Sequence, residues 1–143
     1  MHFEMTTEIA ASAETVWQVL TDVESWPQWT ASMTRVERLD SGPLAIGSRA
    51  RIHQPRLLPV VWTVTALDPA TGFTWAAGGP GLTTTASHDL TRHDEHTSVR
   101  LAIDQTGLAA PILGGLMAGL TRRYLVMESQ GLKSRAEQTD GEN

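Results

Sequence analysis

Apolar and polar residues alternate at the start of the chain. Between residues 2 and 9, Phe3, Met5 and Ile9 are apolar, and polar side chains separate them. A period of two is typical of a β-strand whose faces meet different environments. We therefore expect a strand over residues 2–9, with one face in the core and the other in water.

The period then changes to that of a helix. Ser12 suits an N-cap, because its hydroxyl can accept a hydrogen bond from a backbone N–H of the first turn. Val16, Trp17 and Leu20 follow at helical spacing. The pattern predicts a short helix directly after the first strand.

A proline between two tryptophans marks the end of this region. Pro27 disfavours the helical conformation for Trp26, the residue before it. We expect the chain to turn there, and a second short helical turn to present the indole of Trp29. Two short helices should therefore separate the first strand from the rest of the chain.

The period of two returns at Met33 and continues through the middle of the chain. Clusters of glycine, proline and aspartate, such as residues 40–43, 68–72 and 78–81, interrupt it. Short turns between consecutive strands favour an antiparallel meander in a curved sheet, with the first strand paired elsewhere in it. The six further predicted strands are 33–40, 47–54, 60–68, 72–78, 83–92 and 96–106.

A long helix is predicted at the C-terminal end. Pro111 suits a first helical turn, and we expect the helix to run to about Arg135, with the polar residues 136–143 frayed. Its apolar stripe has only the concave face of the sheet to pack on, so the fold class is α+β. We assign residues 1–138 to one domain and 139–143 to a polar tail. The stripe comprises Leu113, Leu116, Met117, Leu120, Tyr124 and Met127.

The order of elements, together with the segment IAASAETVWQVLTDVESWPQW at residues 9–29, resembles the START-related, pollen-allergen-like helix-grip proteins. The chain is most similar to their polyketide cyclase/dehydrase and lipid transport branch, and the likeness continues in Trp62-Thr63-Val64, Phe73-Thr74-Trp75 and residues 86–90. The resemblance implies a curved seven-stranded antiparallel sheet that grips the long C-terminal helix. It also implies a mostly apolar cavity between them that holds a lipid, a polyketide or another hydrophobic molecule.

Composition excludes several classes of protein. The chain has no cysteine, which rules out disulfides and thiolate sites and fits a reducing compartment, so we expect a cytoplasmic protein. With a net charge of -5 and 11 dispersed basic residues, nucleic acid is not an expected partner. The most apolar window, residues 107–120, is shorter than the roughly 20 residues of a membrane span. A homodimer is left open, because the sequence shows no heptad seam.

Strand alternation predicts which side chains face the cavity. His88, Gln105, Trp62 and Trp75 fall on the inward faces of their strands. Trp29, at the expected turn, should lie near the opening. The helix stripe adds apolar ligand contacts. The predicted ligand-binding residues are Trp29, Trp62, Trp75, His88, Gln105, Met117, Leu120 and Tyr124.

His88 is the candidate for chemistry. The ordinary pKa of histidine, about 6.5, allows proton exchange near neutral pH, so His88 is the one predicted catalytic residue. A lone histidine on an apolar face is more commonly a hydrogen-bonded core residue. The sequence offers it no partner acid, and we favour a polar ligand-binding role.

Basic residues share one face of the strand near residue 50. The simplest interpretation puts Arg49, Arg51 and His53 outside the sheet. A register change at Gln54-Pro55 would instead bring them to the cavity mouth, where guanidinium groups suit a carboxylate. The loop Arg56–Pro59 is predicted to form part of the rim.

The remaining motifs do not indicate cofactor chemistry. His93 and His96 with Asp94 and Glu95 resemble a metal-ligand cluster, but they fall in a predicted hairpin turn and a solvated turn explains them more simply. We expect no metal. The sequence has neither a Gly-x-Ser-x-Gly motif nor a phosphate-binding glycine loop, so we expect no nucleotide cofactor.

Gly114, Gly115 and Gly119 weaken the first half of the predicted helix, by about 1 kcal/mol each relative to alanine. Room for a ligand explains them, and so does close packing of the helix on the sheet. Three functions remain open: a carrier of a small hydrophobic molecule, an enzyme of the cyclase or dehydratase type, and a protein-interaction module that uses the same groove. The absence of an acid, base and nucleophile set favours the carrier.

Overall fold

Seven strands form one antiparallel sheet in the computed structural model, which describes residues 1–142. The meander joins β2 to β7 in sequence, and β1 pairs with β7, so the order across the sheet is β1-β7-β6-β5-β4-β3-β2. The predicted strands are confirmed, with ends shifted by a few residues at most. They are β1 His2–Ile9, β2 Arg35–Arg38, β3 Arg49–His53, β4 Val60–Asp68, β5 Gly72–Gly79, β6 Leu82–Arg92 and β7 Thr97–Thr106.

The first helix, α1 (Ala13–Thr21), begins as the sequence predicts. The Ser12 side chain accepts a hydrogen bond of 3.1 Å from the backbone N–H of Thr15. This bond satisfies one of the donors that a helix start leaves free. Val16 and Leu20 are buried on the inner face of α1.

The prediction for the second short helix is wrong in detail. A 3₁₀ helix spans Val23–Gln28 and includes both Trp26 and Pro27, whereas we expected the chain to turn before the proline. Trp26 is 1% exposed, and its indole N–H donates to the carbonyl of Leu20 at 2.9 Å. Burial and this hydrogen bond outweigh the local preference of the residue before a proline.

The long helix α2 spans Ala110–Gly141, so the predicted end near Arg135 and the frayed residues after it are wrong. Side chains of the last turns bond to the start of α1 instead of facing only water. Glu137 accepts from the backbone N–H of Ala10 at 2.8 Å, and Asp140 accepts from the Thr15 hydroxyl at 2.8 Å. The assignment of residues 139–143 to a separate tail stays a prediction, and Asn143 lies outside the described residues.

The two halves of α2 pack differently. The C-terminal half is anchored in the core by Leu125, Ser129, Leu132 and Ala136, all of which are buried. Between residues 110 and 123, only Ala110 and Gly114 are buried. A bulge between β4 and β5 near Val64 helps the sheet to curve around the helix. Space therefore remains between the sheet and the N-terminal half of α2.

Among residues 1–142, no helix is both long and apolar enough to cross a membrane.

Candidate functional site

A cavity of about 830 Å³ occupies the space between the concave face of the sheet and α2. Most of its wall is apolar, with a few polar side chains among aliphatic and aromatic ones. A second depression, of about 490 Å³, lies between α1 and the loop at Pro43, and it is more open to solvent. Because the larger cavity is more enclosed and brings the predicted polar groups together, it is the candidate site.

The structure brings together seven of the eight predicted ligand-binding residues. They come from four strands and the long helix, and the strand residues lie on the inward faces that alternation assigned. The seven that line the cavity are Trp62, Trp75, His88, Gln105, Met117, Leu120 and Tyr124.

Trp29 is not part of the cavity wall, contrary to the prediction. It ends the 3₁₀ helix and packs on Trp26, with 5.5 Å between ring centroids. Its indole nitrogen is buried, and no residue of the described chain partners it. Trp26 lines the cavity in its place. The sequence pointed to the wrong tryptophan because Pro27 does not end the helical turn.

Aromatic rings form a continuous group on the cavity floor. The centroid of Trp75 lies 5.3 Å from that of Trp26 and 5.9 Å from that of Trp62. Phe73 stacks on His88, with centroids 4.3 Å apart and 17° between the rings. The floor is therefore rigid and largely apolar.

His88 is held as a neutral imidazole. Its Nδ1 lies 3.1 Å from the carbonyl oxygen of Phe73, which can only accept, so Nδ1 carries the proton and Nε2 is the free acceptor. Burial lowers the pKa of His88 to about 4, because the apolar surroundings disfavour the charged ring. At neutral pH this side chain therefore accepts a hydrogen bond and carries no charge.

Glu128 is the functional candidate that sequence reasoning missed. Its side chain lines the cavity, and burial raises the pKa of its carboxyl to about 8. Among residues 1–142 its carboxyl group has no ion-pair or hydrogen-bond partner, and desolvation is the only cause of the pKa shift. It lies four residues after Tyr124 on the same helix face, so the spacing contained the signal. The predicted stripe placed Met127 there instead.

Gln105 contributes a further polar group at the end of the cavity near the start of α2. Its Oε1 is buried without a hydrogen-bond partner in residues 1–142. A β-carbon at position 114 would lie 2.7 Å from this oxygen, so the helix approaches Gln105 closely at Gly114.

Three segments form the cavity mouth, which we call the rim: residues 54–59 between β3 and β4, residues 78–82 between β5 and β6, and residues 108–121 of α2 and the turn before it. The predicted loop Arg56–Pro59 lines the opening. The Tyr124 hydroxyl donates to the carbonyl of Pro55, and the Ala109 N–H donates to that of Gly81 at 2.8 Å. These bonds tie both loops to the helix.

The basic strand face lies outside the sheet, as the simplest interpretation expected. Ala50 and Ile52 are buried in the core, and the side chains between them point away from it. His53 lies 3.0 Å from Glu37 on the neighbouring strand. Arg49, Arg51 and His53 therefore take no part in the cavity wall.

The histidines of the β6–β7 turn form a surface cluster. The rings of His93 and His96 stack with centroids 4.4 Å apart, and ligand atoms of both lie within 4.8 Å of one another and of Glu8. His93 bonds to the Ser98 hydroxyl at 2.8 Å and His96 to Glu8 at 3.1 Å. Because the first bond connects the turn to β7 and the second connects it to β1, they give the cluster a structural role.

The fold and cavity define a helix-grip protein. The chain belongs to the polyketide cyclase / dehydrase and lipid transport family, whose model matches residues 1–137. No curated protein matches it significantly.

Solved structures share the fold across almost the whole chain. The Zhui aromatase/cyclase from Streptomyces sp. R1128 is 24% identical, with a TM-score of 0.78 over 96% of this chain and 94% of that one. A START superfamily protein from Mycobacterium smegmatis is 20% identical, with a TM-score of 0.74 over 96% of this chain and 98% of that one. At these identities the likeness establishes the fold.

Proposed function

We propose that the protein binds a small hydrophobic molecule, a lipid, a polyketide or an aromatic compound, in the cavity between the sheet and α2. The observation that carries this proposal is the cavity itself, about 830 Å³ with a mostly apolar wall. Small-molecule sites commonly measure roughly 300–1,000 Å³ and combine apolar walls with a few polar groups.

The polar groups suggest what the ligand carries. The protonated carboxyl of Glu128 can donate a hydrogen bond to a ligand carbonyl. The Oε1 of Gln105 is an unpartnered buried acceptor, and a ligand hydroxyl would relieve the cost of burying it. A hydrophobic molecule with both carbonyl and hydroxyl groups fits this arrangement best.

Native mass spectrometry of the purified protein, compared with denaturing mass spectrometry and followed by organic extraction, tests the binding proposal. A mass difference that appears in the extract as a hydrophobic molecule supports it. A protein that is empty, and that stays empty after incubation with fatty acids and polycyclic phenols, contradicts it.

A second candidate is an enzyme of the cyclase or dehydratase type, and one observation favours it. Glu128 with its raised pKa and His88 with its lowered pKa line the same cavity, so an acid and an unprotonated base are both available at neutral pH. The similarity to an aromatase/cyclase supports the same candidate.

In such a dehydration of a β-hydroxy ketone, the Nε2 of His88 would remove the proton from the carbon beside the carbonyl. The C–O bond to the hydroxyl would break as Glu128 gives its proton to the leaving oxygen. The products are water and a conjugated enone, and a proton shift from His88 to Glu128 through solvent restores the starting state. The apolar wall would hold the chain in a reactive conformation.

The proposed setting follows from composition. We propose a cytoplasmic protein with a small-molecule partner rather than a nucleic acid. The absence of cysteine and the net charge of -5 support both statements.

A further inference from the structure

Large aliphatic side chains stand in solvent around the cavity mouth. They belong to two of the rim segments, the loop after β3 and the region around the start of α2. The four most exposed large apolar side chains of the rim are Leu58 at 84%, Leu108 at 97%, Ile112 at 69% and Leu116 at 78%. Exposure of this extent at one opening marks an interaction surface, because isolated domains rarely leave such groups together in water.

Three of these side chains form a stripe at the start of α2. Ile112 and Leu116 are four residues apart on one face of the helix, and Leu108 lies in the turn just before it, four residues ahead of Ile112. Arg123 follows Leu116 by seven residues, about two turns later on the same face, and it is exposed. The stripe therefore ends in a positive charge.

The charge of the rim is opposite to that of the whole protein. The chain carries 16 acidic residues and a net charge of -5, yet none of the rim segments 54–59, 78–82 and 108–121 contains aspartate or glutamate. The rim holds Arg56, and Arg122 and Arg123 follow it directly on α2; all three are exposed. Arg122 also lies over the Phe3 ring, 5.2 Å from its centroid. Cations and aliphatic side chains thus share one surface.

We propose that this rim docks the protein onto a bilayer that contains anionic phospholipid. Leu108, Ile112 and Leu116 enter the boundary between headgroups and acyl chains, as the apolar face of an interfacial helix does. Arg56 and Arg123 remain at the level of the phosphates, where guanidinium forms paired hydrogen bonds. The cavity mouth then opens against the lipid.

The side-chain chemistry favours a bilayer over a protein. Residues 108–120 carry no hydrogen-bonding side chain, whereas protein interfaces form about one hydrogen bond per 100–200 Å². A symmetric contact between two copies would bring the same arginines together and leave them without an opposite charge on that surface. A fluid bilayer needs neither matching hydrogen-bond partners nor a fixed alignment of side chains.

Docking can be tested separately from the proposed function. The purpose of docking rests on that function, since a bilayer is a source or destination for a hydrophobic ligand. The measurement itself needs no ligand, because Ile112 and Leu116 are not part of the cavity wall. A protein that docks with an empty cavity and a protein that fills its cavity without docking are separate, recognisable results.

Co-sedimentation with vesicles tests the proposal on the full chain. We expect binding to vesicles of equal parts phosphatidylcholine and phosphatidylglycerol, weaker binding to phosphatidylcholine alone, and loss of the difference at high salt. Ile112→Ser with Leu116→Ser should lower vesicle binding at least tenfold. Arg123→Gln should lower it about fivefold on anionic vesicles. Ile46→Ser is the matched control, because Ile46 is 68% exposed away from the rim and its loss should change nothing.

Three outcomes overturn the proposal. The first is no binding of the wild-type protein to either vesicle. The second is binding that Ile46→Ser reduces as much as the double variant does. The third is a concentration-dependent dimer, seen by sedimentation velocity, that the double variant abolishes, which would assign the face to a second copy. Circular dichroism of each variant checks that the fold is intact, and titration with 2-naphthol checks the cavity.

Discussion

Gly131 of α2 packs directly against the backbone of Trp29. A β-carbon at position 131 would overlap the carbonyl oxygen of Trp29 and would lie 2.9 Å from its carbonyl carbon. Gly119, earlier in the same helix, has no neighbouring atom within 4 Å of its β-carbon position. Gly131 therefore allows the helix to approach the segment after α1 closely, whereas Gly119 is not required for any contact.

The same substitution at these two glycines should have opposite effects. Gly131→Ala should lower the free energy of unfolding by about 3 kcal/mol or more, because backbone must move to admit the methyl group. Gly119→Ala should raise it by about 1 kcal/mol, because alanine is the better helix former at an open position. Urea denaturation measures both. Equal effects at the two positions would contradict the close packing of α2 on Trp29.

The last turns of α2 should depend on Asp140. Its carboxylate accepts hydrogen bonds from Thr15 and Ser12, and these bonds lower its pKa. Asp140→Ala should increase hydrogen exchange at the amides of residues 136–142 and at the start of α1. Gln138→Ala, at an exposed neighbouring position, is the control and should leave exchange unchanged. Unchanged exchange in Asp140→Ala would show that the helix end needs no anchor.

Glu128 should make stability depend on pH. Burial raises its folded-state pKa to about 8, whereas its ordinary value is 4.5, so the folded state holds the proton more tightly. Stability from this group is full below pH 4.5 and declines as pH rises to about 8. Glu128→Gln should remove that decline.

Urea denaturation of wild type and Glu128→Gln at pH 5 and pH 8 measures the effect. The advantage of the variant should grow by on the order of 2 kcal/mol between the two pH values, since Glu128 is only half-buried and solvent screens part of the full linkage value. The other titratable groups are the same in both proteins, so their contributions to the difference in unfolding free energy cancel. A constant difference would mean that the carboxyl ionises normally.

If the cavity dehydrates a β-hydroxy ketone, its pH profile should reflect the same two groups. The rate should fall above pH about 8, where Glu128 loses its proton, and below about 4, where His88 gains one. Glu128→Gln should slow the reaction by about 100-fold or more, measured by enone absorbance. Asp94→Asn, in the exposed β6–β7 turn, should not. Full turnover in Glu128→Gln would contradict the role of Glu128 as the proton donor.

The sequence predicted the sheet because every strand carries a period of two and most turns carry glycine, proline or aspartate. The predictions were wrong where tertiary contacts determine the local structure. Trp26 enters a 3₁₀ helix because burial and a bond to Leu20 outweigh the effect of Pro27. The polar end of α2 stays helical because Glu137 and Asp140 find partners 125 or more residues away in the chain.

The site was predictable to the extent that strand alternation controls it. His88 and Gln105 point inward because β6 and β7 keep their alternation. Glu128 was missed because a charged residue on a helix is ordinarily assigned to the solvent face. Its position four residues after Tyr124 was the one local signal, and its place in the cavity wall depends on how α2 packs across the sheet.

The most direct test of the binding proposal compares two tryptophan substitutions at adjacent positions. Thr84 lines the cavity, whereas Thr85, the next residue of β6, belongs to the other face of the sheet. Thr84→Trp should therefore fill the cavity, and Thr85→Trp should not. Circular dichroism should show that both variants keep the fold.

The decisive measurement is titration of wild type and both variants with a fluorescent fatty acid and with 2-naphthol. The proposal predicts that the wild-type protein and Thr85→Trp bind at least one probe with similar affinity, and that Thr84→Trp loses that binding at least tenfold. Binding that Thr84→Trp leaves unchanged, or no binding of either probe to the wild-type protein, would contradict the proposal that this cavity holds a small hydrophobic molecule.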